Sequence, residues 1–296
     1  MSALSKLLGG RIVVASVSGG KDSAALSLWL TEQGINHRRV FADTGWEHSS
    51  TYDYLRGALS KVLGPIDEVG HPGGMKALIA KKGMFPSRLR RFCTEDLKVR
   101  PLSAYVRHIQ DTEGECISAV GIRAAESKAR SQMEEWEWSA AFDCETWRPL
   151  LRWSEQDVID IHARHGLRPN PLYLKGANRV GCFPCIFARK AEVKLVADLA
   201  PERIDEIRTM ERQVSDGAKA RGNASQFDLE HGYERTFFHG KLSREGKPFP
   251  IDTIVEWSRT GAGGKQFELI EEPVEEGCVR WGLCEVEQRS KHGGGR

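Results

Sequence analysis

Ser18-Gly19-Gly20-Lys21-Asp22-Ser23 follows an apolar run, Ile12-Val13-Val14-Ala15, and opens an amphipathic one, Ala24-Ala25-Leu26-Ser27-Leu28-Trp29-Leu30. Strand, glycine turn and helix in that order form an anion grip. Two glycines let the backbone approach a phosphate, and the positive end of the helix adds to the charge of Lys21. The common phosphate loop GxxxxGK[ST] requires a glycine where Ala15 stands and a hydroxyl where Asp22 stands, and the GxGxxG dinucleotide spacing is absent. An acidic residue beside the lysine suits a magnesium-bound pyrophosphate leaving group. The plain alternative is a glycine-rich turn with no ligand.

The chain around this loop has 296 residues, 40% hydrophobic and 28% charged, with a formal net charge of +2. Such a chain folds as one large globular domain or two small ones. No apolar run reaches the length of a bilayer span and no secretory pattern opens the chain, so a cytoplasmic address and no membrane partner are expected. The net charge is too small to argue for nucleic acid by itself. Arg88, Arg90 and Arg91 form a local basic run beside Cys93, which reads first as a solvated face.

Strand and helix patterns alternate through the first half, which implies a parallel sheet covered on both faces. Arg39–Ala42 reads as a second strand that delivers Asp43 and Thr44 to its carboxyl end, where open α/β sheets bind ligands. A helix is expected over 50–63, and strands over Ile66–Val69 and Cys116–Val120, the latter leading into Gly121-Ile122-Arg123. Trp136-Glu137-Trp138 alternates like a half-buried strand. Ser154 with Asp157 marks a helix start behind a packing residue, Trp153. The region 191–215 reads as an amphipathic helix pair broken at Ala200-Pro201. The polar segment after Gly217, including Gly261-Ala-Gly-Gly-Lys265, has no assignment.

The SGGKDS loop resembles the pyrophosphate loop of the adenine-nucleotide alpha-hydrolase superfamily. The later blocks narrow the likeness. Phe41-Ala-Asp-Thr-Gly-Trp46, Cys93-Thr-Glu-Asp-Leu-Lys98, Gly121-Ile-Arg123, Arg148-Pro-Leu-Leu-Arg-Trp153, Asn170-Pro-Leu-Tyr173 and Arg179-Val-Gly-Cys-Phe-Pro-Cys185 follow in the order of the phosphoadenosine phosphosulfate (PAPS) reductase family. The resemblance implies an α/β, Rossmann-like (HUP-type) doubly wound parallel sheet over residues 1–175. A mainly helical, cysteine-containing region is expected over 176–296.

The seven cysteines of a cytosolic chain point to thiols or metal rather than disulfides. Cys182 and Cys185 make a chelating pair. The resemblance assigns Cys93, Cys182 and Cys185 to a [4Fe-4S] cluster, with Cys284 or Cys278 as the fourth ligand; zinc and unliganded core thiols are the alternatives. Cys116, in a strand, and Cys144, in an irregular stretch, read as structural.

The resemblance places ATP against Ser18, Gly19, Gly20, Lys21, Asp22, Ser23, Asp43, Thr44, Gly121 and Arg123. Lys21, Asp22 and Arg123 are the catalytic candidates, and Mg2+ falls to Asp22 or Asp43. Arg123 reads as a phosphate clamp, with Lys98 in a similar role, whereas Arg130 reads as a salt-bridge partner of Glu126. Arg189, Lys190 and Lys241 suit either a groove for an acidic polymer or solvent.

For a true reductase the resemblance calls for a Glu-Cys-Gly-Leu-His-like segment, which the sequence lacks, so the intact loop is expected to cleave ATP to AMP and pyrophosphate, coupled to sulfur transfer onto DNA, tRNA or sulfate. A sulfur or electron donor protein is then implied, with the chain working as a homo-oligomer or a complex subunit. A true PAPS reductase using Cys284, and a non-catalytic nucleotide-binding iron-sulfur subunit, are the alternatives.

Overall fold

The computed structural model describes residues 3–222, 235–238, 248–261 and 281. Its frame is a six-stranded sheet in the order β3-β2-β1-β4-β6-β5. A short helix α1 (Ala3–Leu8) leads into β1 (Ile12–Ser16), then α2 (Lys21–Glu32), β2 (His37–Asp43), α3 (Ser49–Tyr54), α4 (Ser60–Leu63) and β3 (Asp67–Gly70). The next elements are α5 (Gly74–Lys82), α6 (Phe92–Thr94), α7 (Arg100–Thr112), β4 (Cys116–Val120), β5 (Trp136–Ser139) and β6 (Cys144–Trp147). The described chain continues through α8 (Glu155–Arg164), α9 (Pro171–Leu174), α10 (Lys190–Leu199), α11 (Pro201–Ala220) and α12 (Ile251–Ser258).

All pairings are parallel except β5 against β6. Strand β1 runs up the centre, with Val13 beside His37 of β2 and Ile117 of β4. Its alternation sorts the two faces. Val13 and Ala15 join α2, Leu55, Leu59 and Ile161 in one core, while Val14 packs with Val40, Val106 and Ile109 on the side of α7. The chain winds from β1 towards β3 on one side and returns to β4 on the other, so the carboxyl ends of β1 and β4 form a topological switch point. This is the doubly wound α/β arrangement expected from the alternating pattern.

Several local expectations meet their structure here. The helix over 50–63 is continuous but passes through a π turn at Leu55–Leu59 between α3 and α4. Trp136 and Trp138 lie on an antiparallel edge strand, with Trp136 stacked 5.1 Å from the buried Trp147. Ser154 caps α8 reciprocally with Asp157. Cys144 lies in strand β6, not in an irregular stretch: Asp143 takes φ 52° and completes the turn that starts the strand. Strand β2 is also longer than the sequence pattern suggested, and β3 begins one residue after Ile66.

A second core builds on the far end of the sheet. Trp46, Met75, Leu78, Phe85 and Leu97 pack there with Phe183, Val196, Ile207, Phe237 and Ile251, so packing is continuous across residue 175. The helix pair breaks at Ala200-Pro201 as expected, with α11 running on to Ala220. Lys190 does not line a groove: its ammonium is fixed to the carbonyls of Thr260 and Gly261.

His37 carries a measurable consequence of this packing. Its Nδ1–H donates to the Ile35 carbonyl at 2.9 Å, leaving Nε2 to accept from the Ser27 hydroxyl at 2.6 Å. Burial, the largest influence, lowers its pKa to about 4. The unfolded chain, with an ordinary histidine pKa of about 6.5, takes up a proton that the folded chain refuses. Stability should therefore fall as pH drops from about 6.5 towards 4, by roughly 2 kcal/mol between pH 7 and pH 5. Urea titrations of the wild type and of His37→Asn at both pH values should show this part of the slope only in the wild type.

Candidate functional site

The residues of the loop after β1 are fixed before any ligand is considered. Gly19 adopts φ 71°, a left-handed conformation that favours glycine. The Ser18 N–H donates to Ser23 Oγ at 3.0 Å, and Ser23 Oγ donates to the Gly20 carbonyl at 3.0 Å, closing the turn onto the first turn of α2. Neighbouring elements hold it from outside. Asn170 Nδ2 donates to the Gly19 carbonyl, the Tyr173 hydroxyl accepts from the Lys21 N–H at 3.1 Å, and His162 Nε2 donates to the Lys21 carbonyl at 2.9 Å.

Charge gathers at the same place. Lys21, 8% exposed, lies 3.7 Å from Asp22 and 3.4 Å from Glu155. Asp22 also accepts a short hydrogen bond from Nε of the buried Arg123, which follows β4. The clamp candidate thus stands at the phosphate loop, joined to the acidic residue of that loop. Glu126 accepts from the backbone N–H of Arg123 and pairs through its carboxylate with Arg130, the surface role expected for Arg130. Gly121 is the hinge of this approach. A Cβ there would run into the backbone carbonyl of Asp22, so only glycine lets the end of β4 lie against the start of α2.

The loop after β2 serves a different centre. Asp43 Oδ1 accepts from the Gly45 N–H at 2.8 Å and the Tyr52 hydroxyl at 2.7 Å, which shapes its own turn. Thr44 is fully buried and donates to Glu47 at 2.7 Å, with Cys182 Sγ 3.8 Å from its hydroxyl. It is directed at the thiols. Trp46 fastens the two loops together: its carbonyl accepts from the Phe183 N–H, and its indole donates to the Pro184 carbonyl at 3.0 Å.

Cys93, Cys182 and Cys185 all lie, with Glu47, in the electrostatic surroundings of Lys98. Lys98, read above as a further phosphate clamp, has the Cys182 thiol as its foremost electrostatic neighbour, which holds its ammonium above the ordinary lysine range, with Glu47, Cys185 and Cys93 acting the same way. Burial raises the pKa of Cys182 to about 11 and that of Cys93 in the same direction. Cys116 and Cys144 are buried in strands, away from these thiols. Among the described residues, no three His, Cys, Asp or Glu side chains converge as a single metal ion requires. Cys278, Cys284 and Lys241 lie outside the described residues.

The two centres share one stretch of chain. Between Tyr173, against the phosphate loop, and Cys182, at the thiols, the Val180 carbonyl comes within 3.7 Å of where a Gly20 Cβ would stand. Tyr173, His162, Glu155 and Glu47 were not singled out from the sequence as site residues. Asn170-Pro-Leu-Tyr173 was visible only as a motif, and a lone buried histidine has no periodic signature.

A loop at the switch point of a doubly wound sheet, with glycines, a lysine and an Asp–Arg pair, defines a nucleotide-type α/β site. The sequence model of the phosphoadenosine phosphosulfate reductase domain matches residues 12–188, and the chain belongs to that family. An uncharacterized 37.8 kDa protein of Escherichia phage 186 is 32% identical to it over 88% of this chain and 91% of that one. The adenosine 5'-phosphosulfate reductase of Allochromatium vinosum is 29% identical over 58% of this chain and 67% of that one. The PAPS reductase of Candida auris, solved as a phosphate complex, superposes with a TM-score of 0.47 at 17% identity, over 60% of this chain and 84% of that one. Among the described residues, no helix is long and apolar enough to cross a membrane.

Gly121→Ala is the sharpest test of the geometry. The added methyl should push β4 and α2 apart and weaken nucleotide binding about tenfold or more, a loss of at least ~1.4 kcal/mol. Calorimetric titration with Mg-ATP checks the affinity, and a thermal melt separates this effect from general unfolding.

Proposed function

We propose that the chain uses ATP to adenylylate an acceptor and couples this to sulfur transfer. The observation that carries the reading is the shared stretch 170–185, which abuts the phosphate loop at Tyr173 and Val180 and supplies Cys182 and Cys185 to the thiol centre. An activated intermediate is useful only if the sulfur chemistry lies close by.

In this reading an acceptor oxygen attacks the α-phosphorus of ATP. The bond to the β-phosphate breaks and pyrophosphate leaves. Gly19, Gly20 and Ser23 receive the phosphates with Ser18 closing the turn, Lys21 neutralises the departing charge, and Arg123 faces the charge that develops. Sulfide then attacks the activated carbon or phosphorus, forming a carbon–sulfur or phosphorus–sulfur bond as the bond to the acceptor oxygen breaks and AMP leaves with that oxygen. Asp22 is engaged by Arg123 and Lys21, whereas Asp43 Oδ2 has no hydrogen-bond partner among the described residues, so Asp43 is the better magnesium candidate. A sulfur-only donor set suits an iron-sulfur cluster, which Cys93, Cys182 and Cys185 would hold with Cys284 as the fourth ligand candidate. Bound there, the cluster would supply a site for handling sulfide. Lys98 and Glu47 would set the charge around it.

One observation favours a sulfonucleotide reductase instead. Trp281 packs 5.3 Å from the His162 ring and 5.9 Å from the Tyr173 ring, two residues that bond to the backbone of Lys21, and Cys284 is three residues further on in the sequence. That reading needs thiol-dependent sulfite release and no pyrophosphate.

Lys21→Ala should lower ATP-dependent pyrophosphate release by about 10²-fold while the fold persists. Full release in the variant would remove the phosphate-loop assignment, and sulfite release from PAPS that is lost in Cys284→Ser would install the reductase. Anaerobic reconstitution should load iron and sulfide onto the wild type. Cys182→Ala should lose most of that iron, as read by metal analysis; unchanged iron would dissociate these thiols from a cluster.

A further inference from the structure

The turn between α5 and α6 carries the basic run Arg88, Arg90 and Arg91 shortly before Cys93. Between α5 and α6 the chain makes a tight turn in which the Ser87 N–H donates to the Arg90 carbonyl at 3.1 Å and the Arg90 N–H to Ser87 Oγ at 3.2 Å. Phe85, 2% exposed, anchors the turn in the second core. The tip is consequently held outward. Arg88, Arg90 and Arg91 are exposed, and Leu89 is 96% exposed. An isolated apolar residue at the crest of three arginines is a poor solvated face.

The opposite lip comes from the cysteine loop. Phe187, two residues after Cys185, is 38% exposed, and the Arg91 guanidinium lies 5.5 Å from the centre of its ring. Cys93 lies two residues after Arg91, so the Arg91–Phe187 contact joins the segments that carry Cys93 and Cys185. Arg179 reaches the Cys185 thiol and pairs with Glu192 at 2.6 Å. The neighbouring acids are engaged elsewhere: Asp96 by Lys82 and Arg100, and Glu95 by Arg100. Neither Arg88 nor Arg90 has a carboxylate partner among the described residues. With a net charge of only +2, this concentration of unpaired cation is local.

We propose that Arg88, Leu89, Arg90, Arg91 and Phe187 form a docking lip for single-stranded nucleic acid, which is the acceptor class of the sulfur-transfer reading and rests on it. The spacing of charge and apolar surface matches a backbone of phosphates with exposed bases. Guanidinium groups take the phosphates, while Leu89 and the Phe187 ring face unstacked bases. A duplex hides its base faces and would leave Leu89 and Phe187 without partners.

The test uses the full-length protein, purified anaerobically, with fluorescein-labelled oligo(dT), an unstructured RNA, a blunt DNA duplex and polyglutamate. Both single strands should bind, more tightly than the duplex or polyglutamate, with affinity falling steeply as salt rises. Arg88→Ala/Arg90→Ala/Arg91→Ala should weaken single-strand binding about tenfold or more and reduce the salt slope by about 2. Phe187→Ala and Leu89→Ala should each weaken it roughly fivefold with the slope unchanged. An unchanged thermal midpoint and unchanged Mg-ATP titration establish that the triple variant is folded. The proposal is overturned if the wild type ignores single strands, prefers the duplex, binds polyglutamate equally, or loses nothing in the triple variant. Binding of ATP without oligonucleotide defeats the lip and leaves the adenylylation reading. Binding of oligonucleotide without ATP does the reverse.

Discussion

Both backbone polar groups of Lys21 are held from elsewhere in the fold. Its N–H goes to the Tyr173 hydroxyl and its carbonyl to His162 Nε2, so α8 and the segment after it grip the start of α2. Everything the site can do depends on that grip. It fixes where the phosphate-binding turn lies relative to β1, and it draws the stretch that continues to Cys182 against Gly20. Burial pushes the Tyr173 phenol up and the His162 imidazole down, so both stay neutral while they serve as hydrogen-bond partners. The two groups that hold the Lys21 backbone therefore add no charge of their own to the helix start.

The carboxylates beside Lys21 play the opposite part. Asp22 and Glu155 lie against a lysine that is nearly buried, and Arg123 is buried against Asp22. A buried cation left alone is costly, so these acids hold Lys21 and Arg123 in place before an anion arrives. A polyphosphate offers the same cations more oxygens at the same distance. Ligand exchange on Lys21 is then a substitution of one anionic partner for another, with little net loss of pairing.

Much of this was legible in the chain. The sheet could be read because its strands are short apolar runs ending in turn residues, and the phosphate loop because glycines, lysine and helix start fall in one contiguous segment. Arg123 could be placed because it directly follows a strand, and open sheets direct such residues to the ligand edge. What could not be read depends on contacts between distant segments. Nothing local marks Tyr173 as the partner of Lys21, or Trp46 as the clasp of the cysteine loop with Phe237 5.9 Å from its ring. Lys98 shows the same limit. It is a lysine in a basic-looking motif, and only the fold turns it inward to Cys182. Cys144 was misplaced because a single residue at φ 52° restarts a strand where the composition suggests a loop.

The closeness of the two centres has a physical logic beyond economy of chain. In the adenylylation reading proposed above, an adenylylated acceptor would be activated towards any nucleophile, water included, and its useful lifetime would depend on how far it must travel to meet sulfur. Separate loops on an open sheet could drift apart by the small displacements that loops ordinarily tolerate. Here the Phe183 N–H is bonded to the Trp46 carbonyl, and the Arg203 guanidinium lies 4.1 Å from the Trp46 ring centre. The second core therefore ties the thiol-bearing loop to the carboxyl end of β2, while Asn170 and Tyr173 tie the same stretch to the carboxyl end of β1. A loop fastened at both ends to adjacent parallel strands keeps a fixed separation between phosphate grip and thiols.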